Sequence, residues 1–110
     1  MESSFWQLFF IQNISGDVYL KHGTMLDLIV TCDGTGPWTY CWNFEDVNYN
    51  ITGKEECDNV RETVQGKCEF PILWYFRNAG STALIIVVDD GLEHIVKQIA
   101  VVVYDVPRYI

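Results

Sequence analysis

The sequence predicts an all-β protein, a β-sandwich of about seven strands held by two disulfides. Stretches of alternating apolar and polar residues recur along the chain, and turn residues separate them at regular intervals. Short strands spaced in this way are typical of a sandwich. The chain also has four cysteines in 110 residues, an even number that suits disulfide pairing. A length of 110 residues corresponds to one domain, so we expect residues 1–110 to form a single sandwich.

Seven segments have the composition of strands. They are residues 5–11, 17–20, 26–32, 38–44, 68–74, 81–88 and 95–104. The first is predicted to be a strand rather than a signal peptide, because Glu2 replaces a basic region and no small-residue cleavage site follows. Asp89-Asp90-Gly91 predicts a hairpin turn, and Pro71 marks its strand as an edge or a bulge. Residues 45–67 form a long acidic loop, with room for one short strand, that must be tied to the fold.

Alternation assigns three of the cysteines to strand faces. Cys32 and Cys68 share their faces with apolar neighbours two residues away, whereas Cys41 faces outward from a strand that leads into the loop holding Cys57. Four cysteines allow three connectivities, and these faces predict the pairs Cys32–Cys68 and Cys41–Cys57. Because no Cys-x-x-Cys pair exists, neither a structural zinc site nor a redox dithiol is expected.

Composition and sequons narrow the compartment and the partners. The net charge of −8, with seven scattered Lys and Arg residues, excludes nucleic acid as a partner. The longest apolar runs have six residues, at 83–88 and 99–104, so any membrane anchor is expected outside this chain. Two N-glycosylation sequons begin at Asn13 and Asn50. Together with paired cysteines they predict an extracellular or luminal domain.

Aromatic residues account for 15% of the chain, and several of them occupy inward-facing strand positions. Those expected to pack in the core are Tyr40, Trp42, Phe44 and Trp74. The candidates for greater exposure are Trp38, Tyr75 and Phe76. Exposed flat rings can stack on the apolar faces of sugars, so a carbohydrate-binding module is an alternative function.

Catalytic and metal sites are not expected, and neither is a cofactor. His22 and His94 are far apart in sequence without triad or ligand spacing, so both are predicted to be exposed turn residues. Two acidic groups could bind calcium, but neither has a spaced Asp-x-Asp-x-Asp loop, which favours solvated acidic loops. The two groups are Asp89, Asp90 and Glu93, and Glu45, Asp46, Glu55, Glu56 and Asp58. An enzyme fragment is the weakest of three function classes, after an interaction module and a carbohydrate-binding module.

Two strand motifs resemble those of PKD (polycystic kidney disease) domains. One is Tyr40-Cys41-Trp42-Asn43-Phe44, which resembles the aromatic-x-Trp-x-Phe strand. The other is Asn78-Ala79-Gly80 followed by an alternating strand and Asp89-Asp90-Gly91. The chain departs from the PKD pattern in lacking Gly-Asp-Gly after Phe44 and in having Thr82 at the position of a tyrosine.

A closer resemblance, over about residues 24–105, is to the cysteine-rich, kringle-like region of one glycoprotein family. That family comprises premelanosome protein, glycoprotein non-metastatic B and transmembrane protein 130. The matching motifs, in order, are Val30-Thr31-Cys32, Gly36-Pro37, Cys41-Trp42, Cys57, Cys68 and Gly80-Ser81-Thr82-Ala83. The chain departs where Ala83 replaces a late cysteine and where the loop has one cysteine fewer.

The resemblance implies an immunoglobulin-like (PKD-like) sandwich in a single-pass membrane glycoprotein, with roles in protein interaction, adhesion or self-assembly and without catalysis. The expected partner is another protein or a second copy of the chain. Residues 83–88 and 99–103 are uncharged and strongly β-prone, so self-association through strand pairing is expected if either segment forms an exposed edge.

Overall fold

The computed structural model describes residues 10–33, 37–56, 62–64 and 67–106, and within that part of the chain it contains eight strands and no helix. The strands are β1 (Phe10–Ser15), β2 (Tyr19–Lys21), β3 (Leu26–Asp33), β4 (Trp38–Glu45), β5 (Glu62–Val64), β6 (Glu69–Trp74), β7 (Gly80–Asp89) and β8 (His94–Tyr104). The prediction of an all-β fold is confirmed.

The described strands form two sheets. A three-stranded sheet has the order β1-β3-β6, and a five-stranded sheet has the order β2-β8-β7-β4-β5. Neighbouring strands are antiparallel except β2, which runs parallel to β8. β6 is an edge strand, which explains how it accommodates Pro71.

The main core lies between the two sheets and follows from alternation along their strands. In β3, Leu26, Leu28 and Val30 are buried, and the residues between them are exposed or partly exposed. The neighbouring strand β6 and strands β7 and β8 of the opposite sheet contribute buried side chains to the same cluster, among them Phe70, Ile72, Leu84, Ile86, Val88 and Val101. This packing of two sheets across one core is a β-sandwich.

The strand boundaries differ most from the prediction in two places, and by one or two residues elsewhere. β1 reaches from Phe10 to Ser15, later than the predicted segment 5–11, most of which lies outside the described residues. β5 is the short strand for which the long loop has room, and it adds an eighth strand to the expected seven or so.

Among the described residues, the run 83–88 is internal, because β7 pairs with β4 on one side and with β8 on the other. The run 99–103 is internal only at Val102 and Val103, where β2 pairs with β8, and in the described part of the chain residues 99–101 have no strand partner on that side. Strand pairing through the run 83–88 is therefore not expected, whereas self-association through residues 99–101 stays a prediction. In β7 every residue from 83 to 88 is buried. Leu84, Ile86 and Val88 face the main core, while Ala83, Ile85 and Val87 form a second cluster on the outer face of the sheet.

Segment 46–56, which we call the strap, crosses that outer face. Tyr49 of the strap packs against the second cluster, together with Cys41 and Val96. The predicted outward direction of Cys41 is confirmed. The loop is thus tied down by non-covalent contacts in its described part.

The structure contains a disulfide between Cys32 and Cys68, the pair that the face assignments select. The two cysteines are buried on neighbouring strands of one sheet, and the Cys32 N–H donates a hydrogen bond of 3.1 Å to the Cys68 carbonyl. Cys57 lies outside the described residues, so the Cys41–Cys57 bridge stays a prediction.

Candidate functional site

Four aromatic rings close one end of the sandwich, where β4 and β6 end and β3 and β7 begin. We call this end, with its aromatic side chains and the exposed residues around them, the aromatic end. The Trp42 and Trp74 rings lie 5.9 Å apart between centroids, and the Phe44 ring lies 5.7 Å from Trp74 and 5.0 Å from Phe76. Edge-to-face and tilted contacts of this kind hold the rings in fixed orientations.

The predicted core motif faces inward from β4. Tyr40 stacks on Phe70 of the opposite sheet, with ring centroids 3.7 Å apart, and Trp42 and Phe44 continue the row toward the aromatic end. All three motif side chains are partly buried against the main core. The motif therefore joins the two sheets and also supports the aromatic end from inside.

The exposures of the candidate surface aromatics differ from the prediction. Trp38 is only 2% exposed, so it is a core residue and the expectation of an exposed ring there is wrong. Phe76 is also partly buried against the core. Tyr75 is 52% exposed, as expected, and Trp74, predicted to pack inside, is 46% exposed. The accessible pair at this end is therefore Trp74 and Tyr75.

Most of the exposed large hydrophobic side chains among the described residues also lie at the aromatic end. They are Tyr19, Met25, Leu73, Trp74, Tyr75, Tyr104 and Val106. Tyr19 and Tyr104 stack on each other, with centroids 4.7 Å apart, across the parallel pair β2 and β8. Aromatic residues and Met are enriched where proteins bind one another, so this end has the composition of an interface.

His22 links three chain segments at the aromatic end. Its Nδ1 lies 2.7 Å from a carboxylate oxygen of Asp105, and its Nε2 lies 2.8 Å from the carbonyl oxygen of Arg77. The hydrogen bonds to Asp105 and Arg77 raise the pKa of His22 above its ordinary value. His22 lies in the predicted turn, but it is only partly exposed, and it bridges two distant segments, which the sequence does not predict.

His94 holds the opposite end of the molecule in a similar way. Its Nδ1 lies 3.0 Å from an Asp89 carboxylate oxygen, and its Nε2 contacts the carbonyl oxygen of Glu55 in the strap. This histidine is the first residue of β8 and is partly buried, so its prediction as an exposed turn residue is wrong. Neither bridge can be predicted from local sequence, because the partners of His22 are 55 and 83 residues away, and Glu55 is 39 residues from His94.

The acidic groups considered for calcium form hydrogen bonds with nearby chain segments. The Glu55 carboxylate accepts hydrogen bonds from the Tyr49 hydroxyl and from the N–H groups of Thr52 and Gly53. Asp90 accepts N–H groups of the hairpin that follows it. Among the residues described, no group of three or more His, Cys, Asp or Glu side chains is arranged to hold a metal ion. Asp58 lies outside them.

Both sequon asparagines are exposed. Asn13 lies on the edge strand β1, where a bulge follows Ile11, and Asn50 lies in the strap. Neither position is obstructed by the core. The geometry is therefore compatible with glycans at both sites.

No model of a known protein family and no curated protein matches this chain. The resemblance to PKD domains and to the premelanosome protein family rests on the sequence motifs alone. In the described segments there is no helix of sufficient length and apolar character to cross a membrane.

Proposed function

We propose that the chain is a non-catalytic, immunoglobulin-like β-sandwich module of an extracellular or luminal glycoprotein, and that it binds a protein partner through its aromatic end. The partner is another protein or a second copy of this chain. In this proposal the chain is a relative of the PKD-like and kringle-like regions of the premelanosome protein family, anchored to a membrane by segments outside this sequence.

The strand order supports the immunoglobulin-like assignment. In that fold one sheet contains strands A, B and E, and the other contains G, F, C and C′. The orders β1-β3-β6 and β8-β7-β4-β5 agree with this arrangement. The Cys32–Cys68 bridge joins neighbouring strands of one sheet, whereas the antibody bridge links the two sheets. The proposal is therefore for the wider immunoglobulin-like group and not for an antibody-type domain.

The observation that carries the proposed function is the pair Trp74 and Tyr75. Both rings are about half exposed, and Trp74 is held by contacts with Trp42 and Phe44. A rigid aromatic side chain loses little conformational entropy when it is covered, which is why Trp and Tyr dominate the energetics of protein interfaces. The surrounding apolar residues supply the area that a partner would cover.

The chemistry of the histidines supports a non-catalytic role. Each imidazole has one nitrogen on a carboxylate and the other on a main-chain carbonyl. A histidine engaged in this way is not available as a general base. The buried disulfide and the exposed sequons support a compartment that permits both modifications.

Position-specific crosslinking tests the proposal. A photoreactive amino acid replaces Tyr75 in a chain displayed on a cell surface, and in a control it replaces Leu92, which is 81% exposed on the β7–β8 turn at the opposite end. We expect discrete protein adducts from position 75 and none from position 92. An adduct with the mass of two chains would identify a second copy as the partner.

Competition makes the crosslinking result specific. Unlabelled wild-type chain should suppress the adducts, and chains with Trp74→Ala or Tyr75→Ser should suppress them much less. Tyr75→Ser is included because the ring contacts of the aromatic cluster, in the part of the chain that the structure describes, do not involve Tyr75. This variant therefore removes the exposed ring without disturbing the cluster. Equal competition by wild-type and variant chains, or the same adducts from both positions, would contradict the proposal.

The carbohydrate alternative keeps one favourable observation, because Trp74 and Tyr75 are flat, accessible rings. A glycan array distinguishes it from protein binding. Micromolar binding to a defined glycan that Trp74→Ala abolishes, and that Leu92→Ala leaves intact, would favour the carbohydrate-binding module.

A further inference from the structure

In the described part of the chain, most of β8 has a strand partner on one side only. β7 pairs with β8 from His94 to Val103, whereas β2 pairs only with Val102, Val103 and Tyr104. We call residues 94–101, on the side away from β7, the open edge. Unpaired backbone groups along a sheet edge form a template on which a further strand can pair.

A hydrogen bond next to the open edge shows which backbone groups of β8 point outward. The Val102 N–H donates a bond of 2.8 Å to the Val18 carbonyl of the β1–β2 connection. Because backbone polar groups alternate between the two sides of a strand, every second residue before Val102 has the same orientation. Those on the open edge include Val96, Gln98 and Ala100. β8 contains no proline, so an added strand would find an uninterrupted row of donors.

Lys97 lies in the middle of the open edge, on the face of the sheet that points toward the core. It pairs in register with Ile86, which is buried in the main core, and residues directly opposite each other share a face. Its neighbours on that face, Ile95 and Ile99, are partly buried against the same core. Lys97 itself is exposed, so the open edge presents a positive charge between two apolar side chains.

Lys97 forms no salt bridge in the described part of the chain. β1, which contacts β8 from the other sheet, contains no charged residue. At about 0.15 M salt, charges more than about 8 Å away are largely screened, so the net charge of −8 does not determine the preference of this edge. A carboxylate that complements Lys97 would therefore come from the strand that covers the edge.

A second copy of β8 does not complement the open edge. β8 contains a lysine and no acidic residue, so two paired copies would bring like charges to neighbouring strands, where they repel. A contact through residues 99–101 alone would use the outward groups of Ala100 and no others in that stretch. Lysine on an edge strand commonly protects the edge against pairing of this kind. Lys97 therefore disfavours self-association through β8 and favours an acidic partner strand.

We propose that the open edge binds an extended segment of another protein, with an acidic residue between two apolar residues at alternate positions. The acidic residue lies opposite Lys97, and the apolar residues lie beside Ile95 and Ile99. Backbone hydrogen bonds to the outward groups of the edge supply the affinity, and the charge of Lys97 supplies the selectivity. This surface runs along β8 away from the aromatic end, so it is distinct from the surface of the proposed function.

Amide hydrogen exchange in the unmodified chain tests whether the edge is open. The Lys97 N–H points toward β7 and should exchange slowly. The Gln98 N–H points outward, where the described strands do not reach it, and should exchange at least about a hundredfold faster. Slow exchange at both positions would show that the edge is already covered and would overturn the proposal. Protection of Gln98 that increases with chain concentration would identify a second copy as the occupant and would also overturn it.

Two matched peptides test the charge preference. They are the capped sequences Thr-Val-Thr-Glu-Thr-Val-Thr and Thr-Val-Thr-Lys-Thr-Val-Thr, which differ only in the charged residue between the valines. Titrated into isotope-labelled protein at about 0.15 M salt, the glutamate peptide should shift the NMR signals of the outward amides and slow their exchange. We expect its dissociation constant to be about fivefold lower than that of the lysine peptide. Equal dissociation constants, or no binding of either peptide at millimolar concentrations, would overturn the proposal.

Charge reversal separates Lys97 from the rest of the molecule. Lys97→Glu should reverse the preference, so that the lysine peptide binds about fivefold more tightly than the glutamate peptide. Lys67→Glu is the control, since it makes the same change of charge at an exposed position just before β6, and it should keep the wild-type preference. Trp74→Ala should also keep it, because the aromatic end is not part of the open edge. An unchanged preference in Lys97→Glu, or a reversed one in Lys67→Glu, would overturn the proposal.

Discussion

Gly16 lies where the chain passes from β1 in one sheet to β2 in the other. Its φ angle is 128°, a conformation that other residues rarely adopt. A Cβ atom at this position would lie 2.5 Å from the Asp27 carbonyl oxygen and 2.8 Å from Cδ2 of Leu28. The Asp27 oxygen belongs to the backbone of β3 and cannot rotate aside. Glycine is therefore required here both by the backbone angle and by the close approach of β3.

We expect Gly16→Ala to lower the free energy of unfolding by about 3 kcal/mol or more, because backbone strain and overpacking add. Gly23→Ala is the matched control. Gly23 also has a positive φ, 101°, but a Cβ there would meet no atom within 4 Å. The control should cost roughly 1 kcal/mol. Urea denaturation of both variants measures the difference, and equal losses would show that the contact with Asp27 carries no weight.

Trp38 and Trp74, whose exposures differ from the prediction, show what alternation along a strand can and cannot predict for a single residue. Trp38 and Trp74 both occupy inward positions of their strands, but one is buried and the other is half exposed. Trp38 is the first residue of β4. Trp74 is the last residue of β6 and lies at the aromatic end. Alternation specifies the direction of a side chain, whereas its burial depends on whether the opposite sheet extends over it.

Among the described strands, β6 lies at the edge of its sheet, and Pro71 interrupts the row of backbone N–H groups along that edge. Because the Cys32 N–H donates to the Cys68 carbonyl, the antiparallel pattern turns the polar groups of Cys68, Phe70 and Ile72 toward β3. Those of Glu69, Pro71 and Leu73 face away from β3. Proline has no N–H, so an added strand would find a gap in the row of donors. Pro71 therefore protects this edge against strand pairing.

We expect Pro71→Thr to promote self-association, because threonine restores the missing donor and favours a strand. Sedimentation over a range of concentrations should show a larger average mass for this variant than for the wild-type chain. Ala100→Thr is the control, since it introduces the same residue at an exposed position without adding a backbone N–H. An unchanged mass for Pro71→Thr, or an equal increase for both variants, would contradict the prediction.

β7 illustrates a signal that was present in the sequence but was given the wrong meaning. Six consecutive apolar residues, 83–88, indicate a strand covered on both faces, since a strand with one solvent-exposed face would alternate. The run was expected to promote strand pairing if it formed an exposed edge, but β7 is internal. The run predicts double burial, but it does not reveal that the strap supplies the second cover.

At the scale of the whole molecule, the Cys32–Cys68 bridge closes a loop with a sequence separation of 36 that contains β4, the strap and β5. Removing both cysteines by Cys32→Ala and Cys68→Ala should lower the free energy of unfolding by roughly 3–4 kcal/mol, chiefly by freeing the unfolded chain. The denaturant slope m should rise, because an unconstrained unfolded chain exposes more surface. Guanidinium denaturation measures both quantities, with the unreduced wild-type protein as the reference. An unchanged midpoint and slope would contradict the prediction.

The sequence by itself determined the fold class, most of the strand positions, the inward face of the Tyr40, Trp42 and Phe44 motif and the pairing of Cys32 with Cys68. These features depend on local alternation, which has a period of two in any strand. Only the tertiary structure decided that Trp38 is covered, that Trp74 is accessible, and that His22 and His94 hold distant segments together. Such features depend on contacts between residues far apart in sequence, and no local period encodes them.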